Sequence, residues 1–256
     1  MVTQRSDHPH QALGIDIGGT GIKCAVVDLD DGSLASERFR LDTPHPSTPD
    51  AVAKTVADVV GNANYTGPVG VTFPGVVMHG TVRTSANMDS SWTGTSLFDT
   101  LSPLLPGPVT TLNDADAAGL AEVRFGAGEG REGLIVMVTL GTGIGTALIY
   151  DGVLVPNAEL GHIEVDGHDA ESRASASARE RRNMTWETWA GKVQKYLRHL
   201  ENVLWPDLFI IGGGVSKRPD KWFDLIETRT PKVIATLVNN AGIVGAALAA
   251  DMSKKR

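Results

Sequence analysis

Apolar runs and the breaks between them divide the chain before any single residue is considered. Residues 13–27, LGIDIGGTGIKCAVV, read as a buried strand, a Gly-rich turn and a second strand folding straight back. Leu13 and Ile15, then Ile22, Ala25, Val26 and Val27, supply the two apolar stretches. Residues 34–41 alternate and predict a third strand. Val52, Val56, Val59 and Val60 share one face of a helix over 50–60, with Ser47 or Thr48 as its cap. A strand over 69–73 and a short β segment reaching Val82 precede a polar loop, 84–92. A short helix follows over 97–105, then a strand over 109–112 that delivers Asn113-Asp114 to the start of a helix ending near Phe125.

The opening pattern returns at 135–150, IVMVTLGTGIGTALIY. Aligned without a gap, Gly19-Thr20-Gly21-Ile22 falls on Gly141-Thr142-Gly143-Ile144, with strand-like residues on both sides. Two copies of strand, GTG turn and strand predict two similar subdomains facing each other, able to hold one extended phosphate chain between them. Asp151-Gly152 then turns into a strand over 153–155, followed by NAELGH and a polar, Arg-rich segment over 166–183. A helix over 185–203, a strand over 207–211 ending in Gly212-Gly213-Gly214, and a strand over 232–235 complete the pattern. The final helix, 241–252, carries Gly245, Ala246 and Ala249, small enough for close packing. These breaks place an N-terminal domain at 1–112 and a C-terminal domain at 113–240.

Bulk properties narrow the function classes. The chain has 256 residues, enough for one large domain or two ordinary ones, with 41% hydrophobic and 21% charged residues. No apolar h-region opens it and no run reaches membrane-spanning length. Cys24 is the only cysteine, so no disulfide forms within the chain and a reducing cytoplasm is expected. A net charge of −7 argues against a general nucleic-acid binder, so a polyanion needs a local positive patch.

The turns carry the first chemistry. Gly18, Gly19 and Gly21 remove the Cβ atoms that keep an anion from the backbone, and exposed N–H groups there form a concave anion seat. Lys23 stands beside that seat, and Asp16, a charge in an apolar strand, needs a cation or a solvated cleft. The turns are neither a Walker A loop nor a Rossmann fingerprint, whose turn leads into a helix. Asn113-Asp114 opens a helix, where Asn and Asp are favoured caps, yet a carboxylate ending a strand is also where a general base is expected. Asn87 and Asn113 can each donate to and accept from a hydroxyl.

Taken together, D-I-G-G-T, G-T-G-I-G, Asn-Asp after a strand and E-x-G-H at 159–162 resemble the ROK family of sugar kinases and related repressors. The resemblance implies the α/β, actin-like ATPase (ribonuclease H-like) fold: two similar domains around a cleft, the last helix packing back on the first. It makes Asp16, Gly18, Gly19, Thr20, Lys23, Gly141, Thr142, Gly143 and Gly145 the phosphate-binding positions, and Gly212, Gly213 and Gly214 the nucleotide segment. It makes Asp114 the catalytic base toward a sugar 6-hydroxyl, and Asn87, Asn113, Asp114, Glu159 and His162 sugar contacts. Glu171, within E-x-x-A-S, matches the second sugar-contacting glutamate. Most of the family carries a Cys-rich zinc motif after E-x-G-H; this chain has no cysteine after Cys24, which excludes zinc held by that motif.

That zinc-free, compact form resembles the branch of polyphosphate-dependent glucokinases and glucomannokinases. It implies glucose, and mannose as a second sugar, with polyphosphate or ATP as donor and Mg²⁺ held by Asp16 directly or through water. A monomer and a homodimer both stay open. Rival readings are an ATP-only hexose or N-acetylhexosamine kinase and a sugar-sensing repressor. Against the repressor, roughly a dozen residues precede the first strand, too few for a helix-turn-helix domain. Arg173, Arg179, Arg181, Arg182, Lys192, Lys195, and Arg198 or His199 form a basic stretch, read as a solvated helix face or a track for polyphosphate.

Overall fold

The computed structural model describes residues 10–85 and 87–252. Contacts divide the chain into one unit of residues 1–117 with 242–256, and a second of residues 118–241. Both are built on a five-stranded sheet.

In the first unit β1 (Gln11–Ile17) and β2 (Gly21–Asp28) form an antiparallel hairpin, and β3 (Phe39–Asp42) extends it. Helix α1 (Pro49–Gly61) then carries the chain to β4 (Val69–Phe73), which runs parallel to β1. A small hairpin of β5 (Val77–Met78) and β6 (Thr81–Val82), then α2 (Leu97–Leu101), lead to β7 (Val109–Asn113), parallel to β4. The order is β3-β2-β1-β4-β7. Thr48 caps α1, its hydroxyl accepting from Ala51 N at 3.4 Å, with Pro49 in the first turn. The buried face of α1 is Val52, Ala53, Val56, Val59 and Val60, closing over β1, β2 and β4 with Phe73 and Trp92. Cys24 lies in this core, where burial pushes its thiol up to about 11, too high for a nucleophile.

The third strand is shorter than the alternation predicts. At 34–36 the pairing departs from a regular ladder: Ala35 N donates to Val26 O, but Val26 N donates to the Ser36 hydroxyl. A side chain takes the place of a backbone acceptor, and regular pairing starts only at Phe39.

Helix α3 (Asp114–Phe125) contains the break between the units. In the second unit β8 (Leu134–Leu140) and β9 (Ile144–Tyr150) form a hairpin that β10 (Val153–Val155) extends. A two-stranded ribbon, β11 (Glu164–Val165) and β12 (His168–Asp169), precedes the short helices α4 (Glu171–Ala174) and α5 (Ala176–Arg181). Long helix α6 (Trp186–Leu204) leads to β13 (Leu208–Gly212), parallel to β8, and β14 (Lys232–Ile234) lies parallel to β13. The order β10-β9-β8-β13-β14 repeats that of the first unit, with the same alternation of antiparallel and parallel pairs. Trp186, Trp189, Trp222 and Phe223 meet edge to face at 5.4–5.7 Å beneath this sheet.

The last helix, α7 (Ala241–Met252), returns from residue 242 onward to the first unit. Small residues let it lie directly on the sheet. A Cβ at Gly14 would stand 1.9 Å from Ile243 O, one at Gly70 1.7 Å from Ala246 O, and one at Gly245 1.8 Å from Ala117 O.

Candidate active site

In the first unit the turn between β1 and β2 is closed by Gly18 N donating to Gly21 O at 3.1 Å. Thr43, just past β3, donates its hydroxyl to Gly18 O at 2.5 Å. Lys23, expected beside the anion seat, forms an ion pair with Asp16 at 2.9 Å, and Thr72 donates to the other Asp16 oxygen at 3.1 Å. The half-buried carboxylate is thereby neutralised in place, as its apolar strand requires. Asp16 also lies against the first turn of α7, where a Cβ on Gly242 would come within 2.9 Å of its carboxyl carbon, a position that favours negative charge.

A second cation, missed in the sequence, lies on this turn. Strand pairing sets Arg40 opposite Lys23, and its guanidinium donates to Thr20 O at 3.1 Å and pairs with Asp42 at 2.8 Å. A Cβ on Gly21 would meet it at 2.7 Å. Asn87 is packed over Gly19, with 3.3 Å between its carbonyl oxygen and a Cβ built there.

Asn113 and Asp114 share the start of α3 without sharing a role. The Asn113 Oδ1 accepts from Ala115 N at 2.7 Å and Asp116 N at 3.0 Å, and its Nδ2 donates to Gly75 O at 3.1 Å. Asn113 is therefore the cap, and most of its hydrogen-bonding capacity is committed to the fold. Asp114 is the first helical residue, partly exposed, with Oδ1 accepting from Ala115 N at 2.8 Å.

In the second unit four segments converge on the second turn. Here Leu140 pairs with Ile144 across residues 141–143, whereas Ile17 pairs with Ile22 across 18–21, so the second turn is one residue tighter than the gapless alignment implies. Glu171, opening α4, accepts from Ile144 N at 2.8 Å, and a Cβ on Gly143 would collide with that carboxylate at 2.3 Å. Gly161 presses on the same strand end, where a Cβ would stand 2.2 Å from Ile144 O. That contact explains the glycine of E-x-G-H. Ser177, opening α5, donates its N–H to Gly141 O at 3.1 Å and its hydroxyl to Thr142 O at 2.5 Å. Gly213, at φ 86°, backs onto the end of β8, with a Cβ only 2.3 Å from Leu140 O. Gly212 and Gly213 thus stand beside Thr139 and Leu140 at the entry to the second turn, and Gly145 is the second residue of the return strand, its carbonyl accepting from the Thr139 hydroxyl at 3.3 Å.

Glu159 and His162 belong to one acid–imidazole cluster with Asp169 and Glu171. His162 Nδ1 bonds Asp169 at 2.9 Å, and its Nε2 lies 4.0 Å from Glu159. A carboxylate at Nδ1 places a proton there and aims Nε2 at Glu159. The hydrogen bond to Asp169 raises the His162 pKa, with Glu171 and Glu159 adding to it against partial burial. Burial pushes Glu159 up, opposed by His162 and assisted by the charge of Glu171. Asp169 was not singled out from the sequence, because its role is read only from its partner.

Among the described residues no three or more His, Cys, Asp or Glu side chains gather to hold a metal, and no helix is long and apolar enough to cross a membrane. Asp16, with both oxygens already engaged, suits a water-bridged Mg²⁺ whose direct ligands are donor phosphates, the usual habit of that ion.

Residues 12–176 match the model of the ROK family. The chain belongs to the ROK family. It is 57% identical over 238 residues to a polyphosphate glucokinase of Mycobacterium tuberculosis, covering 93% of this chain and 90% of that one. A crystal structure of an inorganic polyphosphate/ATP-glucomannokinase from Arthrobacter superposes with a TM-score of 0.89 at 52% identity, covering 96% of this chain and 99% of the other. A ROK-family glucokinase from Streptomyces griseus, solved with glucose and AMPPNP, gives a TM-score of 0.81 at 26% identity, covering 96% of this chain and 100% of the other. The duplicated sheet is therefore the actin-like ATPase fold of the ROK sugar kinases.

Proposed function

We propose that this chain is a glucokinase that moves the terminal phosphoryl group of inorganic polyphosphate or ATP to the 6-hydroxyl of glucose. The observation that carries this reading is the division of labour at the start of α3. Asn113 takes the capping duty, and the Asp114 carboxylate lies partly exposed at the C-terminal end of β7, where a general base is expected. The high identity to a polyphosphate glucokinase and to a polyphosphate/ATP-glucomannokinase supports both donors, and the latter supports mannose as a second sugar.

Asp114 accepts the proton of the sugar hydroxyl as its oxygen attacks phosphorus. An O–P bond forms to the sugar, the bond to the bridging oxygen breaks, and the electron pair leaves with ADP or a polyphosphate shorter by one unit. Glu159 and His162, held by Asp169, fix the sugar, with Glu171 and Asn87 as further contacts. The two Gly turns present N–H groups to the donor, Arg40 adds a fixed positive charge at the first, and Gly212 to Gly214 receive the nucleotide when ATP is used. Asp16 would hold Mg²⁺ through water, and the ion would screen the donor's charge. The reaction belongs to the cytoplasm.

A coupled assay tests this directly: purified protein, glucose and either donor, with glucose 6-phosphate read by a nicotinamide-linked dehydrogenase. Product with both donors is expected. No product with either one would discard the reading.

A further inference from the structure

The structure sorts the basic residues of 173–198, and only some are engaged. Arg179 stacks on Trp186, its guanidinium carbon 3.7 Å from the ring centre. Arg181 donates to the Ser177 hydroxyl at 2.7 Å, and Arg198 to Glu227 O at 3.1 Å. The anticipated face of Lys192, Lys195 and Arg198 is thus interrupted at Arg198. Lys192 and Lys195 instead turn with Arg173 into a cavity of about 200 Å³ within the second unit.

His168, Asp166 and Tyr196 complete its polar lining, while Val165, Ala170 and Ala174 form an apolar wall. Asp166 is the only carboxylate among these residues and is ion-paired with Lys195. The side chains of Arg173 and Lys192 form no hydrogen bond or ion pair with a described residue, although Lys192 lies close enough to Asp166 to help lower its pKa. Tyr196 is 1% exposed, and its buried hydroxyl has no hydrogen-bond partner among the described residues. An orphan hydroxyl of that kind costs about 1–3 kcal/mol unless something meets it. Burial, and then the charge of Glu171, raise the phenol's pKa, so it remains a donor. Two cations outside any ion pair, a third beside its own carboxylate, and Tyr196 with its orphan donor line one cavity and form a receptor for an oxyanion.

We propose that this cavity is a second phosphate-binding pocket, separate from the residues assigned to the transfer reaction. Its occupant is a phosphate group, met by Arg173 and Lys192 and by the Tyr196 hydroxyl. Two sources share that chemistry: an internal phosphate of a polyphosphate donor, which rests on the kinase reading, and a free phosphate monoester such as a hexose phosphate. Either way the occupant rests on α4, whose first residue, Glu171, holds the second Gly turn. Occupancy therefore braces the segment that shapes the donor turn.

The test measures binding by calorimetry to the full chain, with inorganic phosphate, glucose 6-phosphate and long-chain polyphosphate as probes. The proteins are wild type, Arg173→Gln with Lys192→Gln, and Tyr196→Phe. ATP-driven glucose phosphorylation and the melting temperature are followed in each. Wild type is expected to bind at least one probe with a component that the double substitution removes. In Tyr196→Phe that component should be about tenfold weaker, the size of one lost hydrogen bond to a charged group. ATP turnover should stay as in wild type, and the melting temperature should not fall in either variant, rising in Tyr196→Phe as the orphan hydroxyl is removed. Loss of polyphosphate binding alone identifies the donor's own chain as the occupant; loss of glucose 6-phosphate binding identifies a monoester. Binding of all three probes that is indifferent to both variants, or no binding by wild type, overturns the pocket. A wild type inactive with ATP but binding phosphate in the pocket would instead count against the kinase reading.

Discussion

Asp114 and His162 carry the sharpest expectations for single residues. Asp114→Asn keeps the shape at the start of α3 and leaves the Asn113 cap intact, so the fold should not change. Turnover should fall by about 10²–10⁴-fold with sugar affinity little altered, as for removal of a general base. Steady-state kinetics beside equilibrium glucose binding will tell, and a near wild-type kcat would strip Asp114 of that role. For His162 the expectation concerns protonation. Its pKa is raised first by the bond to Asp169, so Asp169→Asn should bring it down toward the ordinary imidazole value. The sign for stability follows: a raised folded-state value contributes below the unfolded imidazole pKa, and that contribution fades as pH rises through the folded value. NMR titration of the ring in both proteins checks it, and identical curves would remove Asp169 from the account. Asp114, Glu159 and His162 were legible because each sits in a short motif. Arg40, Thr72, Asp169 and Ser177 were not, since each acts on a partner that only the fold brings near, such as Thr20 O or Thr142 O.

At the scale of elements, the hairpins β1–β2 and β8–β9 could be read directly, because burial of both faces leaves near-continuous apolar runs around a Gly turn. Helix α1 announced itself through Thr48, Pro49 and a one-sided valine face. Helices α4 and α5 did not. They are four and six residues long, too short for an apolar period, and their placement depends on tertiary bonds. Ser175 caps α5, and Trp189 of α6 donates to Ala174 O at 3.0 Å. The small residues of α7 were legible as close packing, but not which strands they meet. Contact of α7 with β1 and β4 at backbone distance gives the element-scale prediction. Gly70→Ala places a methyl carbon where Ala246 O now stands, and neither backbone can yield cheaply. A loss of about 1–3 kcal/mol or more is expected for such overpacking. In a chain of this size each kcal/mol lowers the melting temperature by about 2–4 °C. Differential scanning calorimetry against wild type decides it; an unshifted transition would mean that α7 is not seated on the sheet in solution.

For the whole molecule, two units repeat one strand order, and each contains one Gly turn, while the chain as a whole carries a net charge of −7. The repeat was visible as two GTG turns, although their difference of one residue was not, because it lies in the strand register rather than in the residues. An acidic protein meets a polyanionic donor only through local groups, and on the proposed reading these include the turn N–H groups and Arg40. ATP and polyphosphate differ along their length but end alike, in a terminal phosphoryl group that, on the proposed reading, is presented to Asp114. A single base of that kind serves only one donor at a time. ATP should therefore raise the apparent KM for polyphosphate without lowering the maximal rate at saturating polyphosphate, when each donor's product is measured separately at fixed glucose. Polyphosphate should act in the same way toward ATP. Raising KCl should weaken polyphosphate more than ATP, because the longer chain makes more screened contacts, over about 8–10 Å at ordinary ionic strength. A lowered maximal rate with unchanged KM, in either direction, would place the two donors at separate sites.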